Sequence, residues 1–140
     1  MANGHWLLKT EPGEYSFADL VRDGVTPWDG VRNPQAQQHM RAMQVGDRCI
    51  IYHTGGERTA VGLAEVVRAP YPDPADPAGR CCLVDVRAGA ALPRPVSLAA
   101  LRSNARFADS PLLRQGRLSV VPLTADHWST LLQLAGSDDG

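Results

Sequence analysis

Four short segments place polar side chains beside small or aromatic ones, and those combinations suit recognition chemistry. Lys9-Thr10-Glu11-Pro12 sets an ammonium, a hydroxyl and a carboxylate in succession, so donors and acceptors occupy one place. In Trp28-Asp29-Gly30-Val31-Arg32-Asn33-Pro34, Trp28 offers a flat π-face and Gly30 lets a backbone approach closely. Asn33 presents both a donor and an acceptor. Stacking plus edge hydrogen bonds is what a flat heterocycle requires. Tyr52-His53-Thr54 closes an apolar run, and strand alternation would turn Tyr52 and Thr54 to one face and His53 to the other. Arg117-Leu118-Ser119-Val120 puts an arginine just ahead of another apolar run.

Catalytic chemistry is much less evident. His5, His39, His53 and His127 are too scattered for a local metal motif, so no metal and no cofactor is expected. There is no glycine-rich phosphate loop and no G-x-S-x-G elbow. Cys49 lies beside Ile50 and Ile51, which favours a buried, inert thiol. Glu11, Asp29 and Asp47 are carboxylates that an acid–base pair would need, but nothing in their spacing brings them together. The protein is therefore expected not to be an enzyme.

The elements that must position these residues are short. His5 to Thr10 reads as a strand ending at Pro12-Gly13. Ser16 and Asp19 form a capping box for a helix that Gly24 stops. Asn33-Pro34 starts a second helix, expected to run through Met40 and Met43 and end before Gly46-Asp47. Arg48 to Thr54 and Ala60 to Arg68 form a hairpin around Gly55-Gly56-Glu57. Four prolines between Pro70 and Pro77 predict a rigid loop. Cys82 to Arg87 is a further strand, and helices are expected to start at Pro95 and at Ser110-Pro111. Leu118 to Leu123 is the closing strand. Thr124 caps a last helix that carries Trp128, Leu131, Leu132 and Ala135 on one face. The expected fold is α+β: a small mixed β-barrel of about five or six short strands with short helices packed around it.

The chain has 140 residues, 44% of them hydrophobic and 21% charged, as expected for one soluble globular domain without linkers or repeats. No apolar run approaches the roughly 20 residues of a membrane helix. Met1 to Trp6 do not resemble a signal peptide. Three cysteines, two of them the adjacent Cys81 and Cys82, suit a reducing cytoplasm better than a disulfide framework. A net charge of -1 argues against an indiscriminate nucleic-acid binder. The charge is uneven, however. Arg94, Arg102, Arg106, Arg114 and Arg117 face a single acid, Asp109, across that stretch, whereas Glu11 to Asp29 is acidic. Such a basic segment could touch a few phosphates without coating the surface. Lysine occurs once, as Lys9, against thirteen arginines.

Six blocks in order resemble the EVE domain: Trp6-Leu7-Leu8-Lys9-Thr10-Glu11-Pro12, Trp28-Asp29-Gly30-Val31-Arg32-Asn33, Val45-Gly46-Asp47, Tyr52-His53-Thr54, Tyr71-Pro72-Asp73-Pro74 and Arg117-Leu118-Ser119-Val120. The likeness spans about residues 5 to 135. It implies a PUA-like fold, related to the YTH and ASCH domains, and a non-enzymatic reader of a modified base in DNA or RNA, such as a 5-substituted cytosine. Carried onto this chain, the pocket would be lined by Lys9, Thr10, Glu11, Pro12, Trp28, Gly30, Val31, Arg32, Asn33, His53 and Thr54. Tyr71, Pro72, Asp73, Leu118 and Ser119 would complete its rim, and Arg102, Arg106, Arg114 and Arg117 would hold phosphates. The partner would be nucleic acid, with no membrane involved. Thr10 and Thr54 stand where the family commonly has serine. Pro34 replaces a tyrosine, and the Arg80-Cys81-Cys82 stretch lacks a frequent aromatic, so an aromatic cage would be thinner here. Two other readings stay open: an enzyme acting on a nucleotide with Glu11 or Asp29 as base, and a small-molecule or protein-interaction domain.

Overall fold

The computed structural model describes residues 4–137. Its frame is a six-stranded mixed sheet in the order β2-β5-β4-β3-β1-β6. Strand β1 (His5–Thr10) lies parallel to β3 (Arg48–His53) and antiparallel to β6 (Val120–Leu123). Leu7, Leu8, Ile50 and Ile51 are all buried, so this central pair has both faces covered and its sequences run apolar rather than alternating. Strand β3 turns through Gly55-Gly56 into β4 (Thr59–Pro72), which pairs with β5 (Cys82–Ser97). Strand β2 (Val25–Trp28) lies along Val84–Arg87 of β5.

Several boundaries differ from those expected. Strand β4 continues through Pro70 to Pro72, and Tyr71 and Pro72 oppose Leu83 and Cys82. Beyond Val66 the β3 side of β4 is unpaired, so a missing proline N–H costs no ladder bond there. Strand β5 likewise runs to Ser97 instead of ending at Arg87. Pro93 and Pro95 fall where the ladder jumps from Ala91 to Val96. These register shifts bend the long β4–β5 ribbon. Strand β2 was not expected at all. It is an edge strand, which is why it accommodates Pro27.

The helices follow their caps. Helix α1 (Phe17–Asp23) has the complete Ser16–Asp19 capping box and ends on Gly24. Helix α2 (Pro34–Arg41) starts from Asn33 but stops before Met43, which is buried all the same. Helix α3 (Leu98–Arg102) begins from a Ser97 cap rather than at Pro95, and Ala105–Phe107 forms a 3-10 turn. Helix α4 (Pro111–Arg114) is capped by Ser110 and α5 (Ala125–Ala135) by Thr124. Helix α5 buries Trp128, Leu131, Leu132 and Ala135. No described helix is long and apolar enough to cross a membrane.

Close packing of α1 on the sheet depends on Gly62. A Cβ there would lie 2.3 Å from carbons of the Phe17 ring, so the ring would have to shift. The Gly62→Ala protein is expected to lose about 1–3 kcal/mol, the usual cost of overpacking, read as a lower denaturation midpoint in urea. An unchanged midpoint would mean that Phe17 moves aside freely.

Two histidines make the fold acid-sensitive. Burial lowers the pKa of His39, whose ring tilts against Trp6 and whose Nε2 has no hydrogen-bond partner. Burial, followed by the charge of Arg48, lowers that of His5, which stacks on Trp128. The unfolded chain therefore binds protons that the folded chain resists, and stability falls as pH drops through about 6.5. Thermal melts are expected to shift downward between pH 7.5 and 5, with a smaller shift in His39→Phe; equal shifts would remove His39 as a cause.

Candidate functional site

The strand ends bring chemistry together. Strands β1 and β2 stand fifth and first in the sheet order, yet both border one cavity of about 490 Å3. The bent β4–β5 ribbon therefore curls the sheet until its β2 edge faces the end of β1. Lys9 and Thr10 enter from β1, with Glu11, Glu14 and Tyr15 from the turn that follows. Thr26, Pro27 and Trp28 enter from β2, with Asp29, Gly30 and Val31 beyond it, and Ser119 from the approach to β6. Gly30 has φ +75°, with no heavy atom near where its Cβ would stand, so backbone conformation rather than crowding favours glycine there.

Hydrogen bonds hold the walls. The Thr10 hydroxyl donates to the Tyr15 carbonyl (2.6 Å), and the Tyr15 hydroxyl donates to Asp23 (2.7 Å). Tyr15 meets Trp28 edge-on, with ring centroids 6.3 Å apart and planes at 82°. The Lys9 Nζ donates to the Gly116 carbonyl (2.9 Å), and its backbone N–H to that of Ser119 (2.9 Å). Burial pulls the Lys9 ammonium below the ordinary lysine range. The cavity thus joins an aromatic corner to one cation and three carboxylates, Glu11, Glu14 and Asp29. A cavity of this size with few convergent polar groups suits a small planar ligand.

Of the sixteen pocket residues expected from the sequence, Lys9, Thr10, Glu11, Trp28, Gly30, Val31 and Ser119 line this cavity. The others do not border it. Pro12 belongs to the turn after Glu11, and Arg32 to the segment ahead of α2. The Asn33 side-chain oxygen accepts the Gln35 and Ala36 N–H groups as the α2 cap. His53 is a strut: its Nε2 accepts the Phe17 N–H (3.0 Å), so its Nδ1 carries the proton and donates to Glu57 (2.9 Å). Tyr71 donates to Asp85 and lies under Arg68, at 3.6 Å from the guanidinium carbon to the ring centroid. Pro72 ends β4, and Asp73 accepts the Ala75 N–H within its loop. Leu118 is core. Thr54 borders a neighbouring cavity that also contains Lys9 and Arg102. Among the other expected phosphate contacts, Arg106 pairs with Asp126 (2.8 Å), Arg114 closes α4, and Arg117 precedes β6; none lines either cavity.

Glu11 and Asp29 do share the first cavity, whereas Asp47 is committed elsewhere. Its buried carboxylate accepts the Gly4 N–H (2.9 Å), the Trp6 indole N–H (2.9 Å) and the Gln44 N–H (3.0 Å). Sequence reading missed Glu14, Tyr15, Thr26 and Pro27, and considered Asp29 only as a base. An aromatic residue just past Pro12-Gly13 was the available signal for Tyr15. Thr26 and Pro27 could not be found without recognising β2.

A family model described as the EVE domain matches residues 4–134. The chain belongs to the EVE family. This EVE domain is 41% identical to Rpa0253 from Rhodopseudomonas palustris, whose solution structure superposes with a TM-score of 0.90, covering 95% of this chain and 93% of that one. Human thymocyte nuclear protein 1 is 30% identical over 94% of this chain and 74% of its own length. A crystal structure of human THYN1 in complex with 5-methylcytosine-containing DNA superposes with a TM-score of 0.90 at 30% identity, covering 96% of this chain and 99% of that one. The PUA-like α+β architecture expected from the sequence is thereby that of its relatives, and a mixed sheet with short helices is what the structure shows.

Proposed function

We propose that this EVE domain reads a modified base in DNA, a 5-substituted cytosine, by taking it out of the stack into the 490 Å3 cavity, and that it does so without altering the base. The observation that carries this reading is the joining of the Tyr15–Trp28 corner to the Glu11 and Asp29 carboxylates in one cavity. Removing a base from its stack costs a few kcal/mol, least where it is single-stranded or mispaired. Stacking on an aromatic side chain returns about 1–3 kcal/mol. The exocyclic amine of cytosine donates two hydrogens, and a carboxylate is its natural acceptor. Val31 supplies an apolar wall suited to a 5-methyl group. The complex of human THYN1 with 5-methylcytosine-containing DNA supports the choice of base and of DNA.

The test is titration of matched single- and double-stranded oligonucleotides carrying cytosine, 5-methylcytosine, 5-hydroxymethylcytosine or N6-methyladenine, each at two salt concentrations. Preference for a 5-substituted cytosine with a shallow salt dependence is the expected result. Equal, weak binding across the panel would overturn the reading. The recovered oligonucleotides are expected to have unchanged mass; a mass change would make this protein an enzyme with Glu11 or Asp29 as its base.

A further inference from the structure

Lys9 also borders a second cavity, of about 300 Å3, together with Tyr52, Thr54, Arg58, Arg102 and Gly116. The two spaces differ in charge. The first sets three carboxylates against Lys9, whereas the second has Lys9, Arg58 and Arg102 in its lining and no acid. The Arg58 and Arg102 side chains form no ion pair with any described residue. Burial raises the pKa of the Tyr52 phenol, which lines the same cavity, while the charges of Arg58 and Arg102 oppose that rise. Arg58 has φ 44° and is the single non-glycine residue in the left-handed region among the described residues. Its carbonyl, held by the Leu98 N–H (2.8 Å), ties this conformation to the start of α3, which carries Arg102. Such backbone strain, of order 1–3 kcal/mol, persists only where surrounding contacts impose it. Uncompensated cations gathered in a concavity are the donors an oxyanion needs.

We propose that the second cavity is a phosphate subsite, in which Arg58 and Arg102 hold the phosphate of the nucleotide whose base occupies the first cavity. This rests on the base reading above and extends it. The carboxylates repel an anion from the first space, so base and phosphate are sorted on either side of Lys9. The phosphate is a diester within a strand or the monoester of a free nucleotide.

Three titrations test it. With inorganic phosphate alone, the Thr54, Gly55 and Gly116 amide resonances are expected to shift in wild type. They should stay still when Arg58→Gly is combined with Arg102→Gln. Glycine adopts a positive φ without strain, so Arg58→Gly keeps the turn. With small ligands, 5-methyldeoxycytidine monophosphate is expected to bind about tenfold tighter than the nucleoside, a gain of about 1.4 kcal/mol. The double variant should lose that gain and leave nucleoside affinity unchanged. With oligonucleotides, a neutral methylphosphonate beside the modified base is expected to weaken binding about as much if the diester is the ligand. No weakening, with the monophosphate gain intact, would assign the subsite to a free nucleotide. Amides silent to phosphate, with nucleoside and monophosphate binding equally, would overturn the subsite. Phosphate shifts without any nucleoside binding would instead overturn the base reading and leave the subsite standing.

Discussion

Asp47→Ala is expected to melt roughly 10–20 °C below wild type, at about 3–4 °C per kcal/mol for a chain of this length. The Asp47 carboxylate accepts hydrogen bonds from Gly4, Trp6 and Gln44, and only 2% of the residue is exposed. Alanine would leave these donors without a partner, and each buried unmet donor costs about 1–3 kcal/mol. Gly4 and Gln44 are partly buried, so the summed loss is about 3–5 kcal/mol. The effect centres on the parallel β1–β3 pair, whose first residues this carboxylate ties together. Asp47→Asn keeps one acceptor oxygen but turns an amide toward a donor, so it should fall between the two. Melts followed by circular dichroism decide it. An Asp47→Ala protein within 3 °C of wild type, against the 10 °C or more expected, would show that the carboxylate does not hold these strands.

Trp28 carries the largest expected effect on binding. Losing its π-face should remove about 1–3 kcal/mol of stacking, or roughly 5- to 150-fold in affinity for a 5-methylcytosine oligonucleotide. Trp28→Ala is a poor probe. Trp28 is only 6% exposed, and truncating a buried tryptophan costs about 3–5 kcal/mol of stability. Trp28→Phe and Trp28→Leu separate the effects: both keep much of the apolar volume, but only phenylalanine keeps an aromatic face. Phenylalanine is expected to bind within a few-fold of wild type, and leucine to lose most of the affinity while remaining folded by circular dichroism. Equal affinity for the two would mean that Trp28 shapes the wall without stacking on the base.

The features legible in the sequence are those whose causes are local. Ser16 with Asp19 starts α1, Gly24 ends it, Asn33-Pro34 starts α2, and Thr124 starts α5, because each cap satisfies backbone groups two or three residues away. The apolar runs of β1 and β3 were equally plain, since strands covered on both faces need no alternation to be recognised. Three of the short blocks singled out for their chemistry contributed residues to one cavity: Lys9 to Glu11, Trp28 with Gly30 and Val31, and Ser119.

What the sequence could not decide is whatever depends on a distant partner. Strand β2, four residues with a proline, has no strand signature of its own and exists because β5 offers it an edge. The reach of β4 and β5 through their prolines depends on which side of each strand is left unpaired. His53 and Tyr71 had the functional groups of pocket residues, and tertiary contacts commit those groups to a strut and a strand-edge pair instead. Arg58 stood out in no local pattern and Tyr15 only as an aromatic past a turn, yet the folded chain sets Tyr15 against Trp28 and Arg58 beside Lys9 and Arg102. The amino-acid sequence alone determined where α1, α2, α4 and α5 begin, which strands form the centre and which family of folds they build. Only the tertiary structure decided which polar groups remain free to meet a ligand, because a buried hydrogen-bonding group must be satisfied by whatever the fold brings to it.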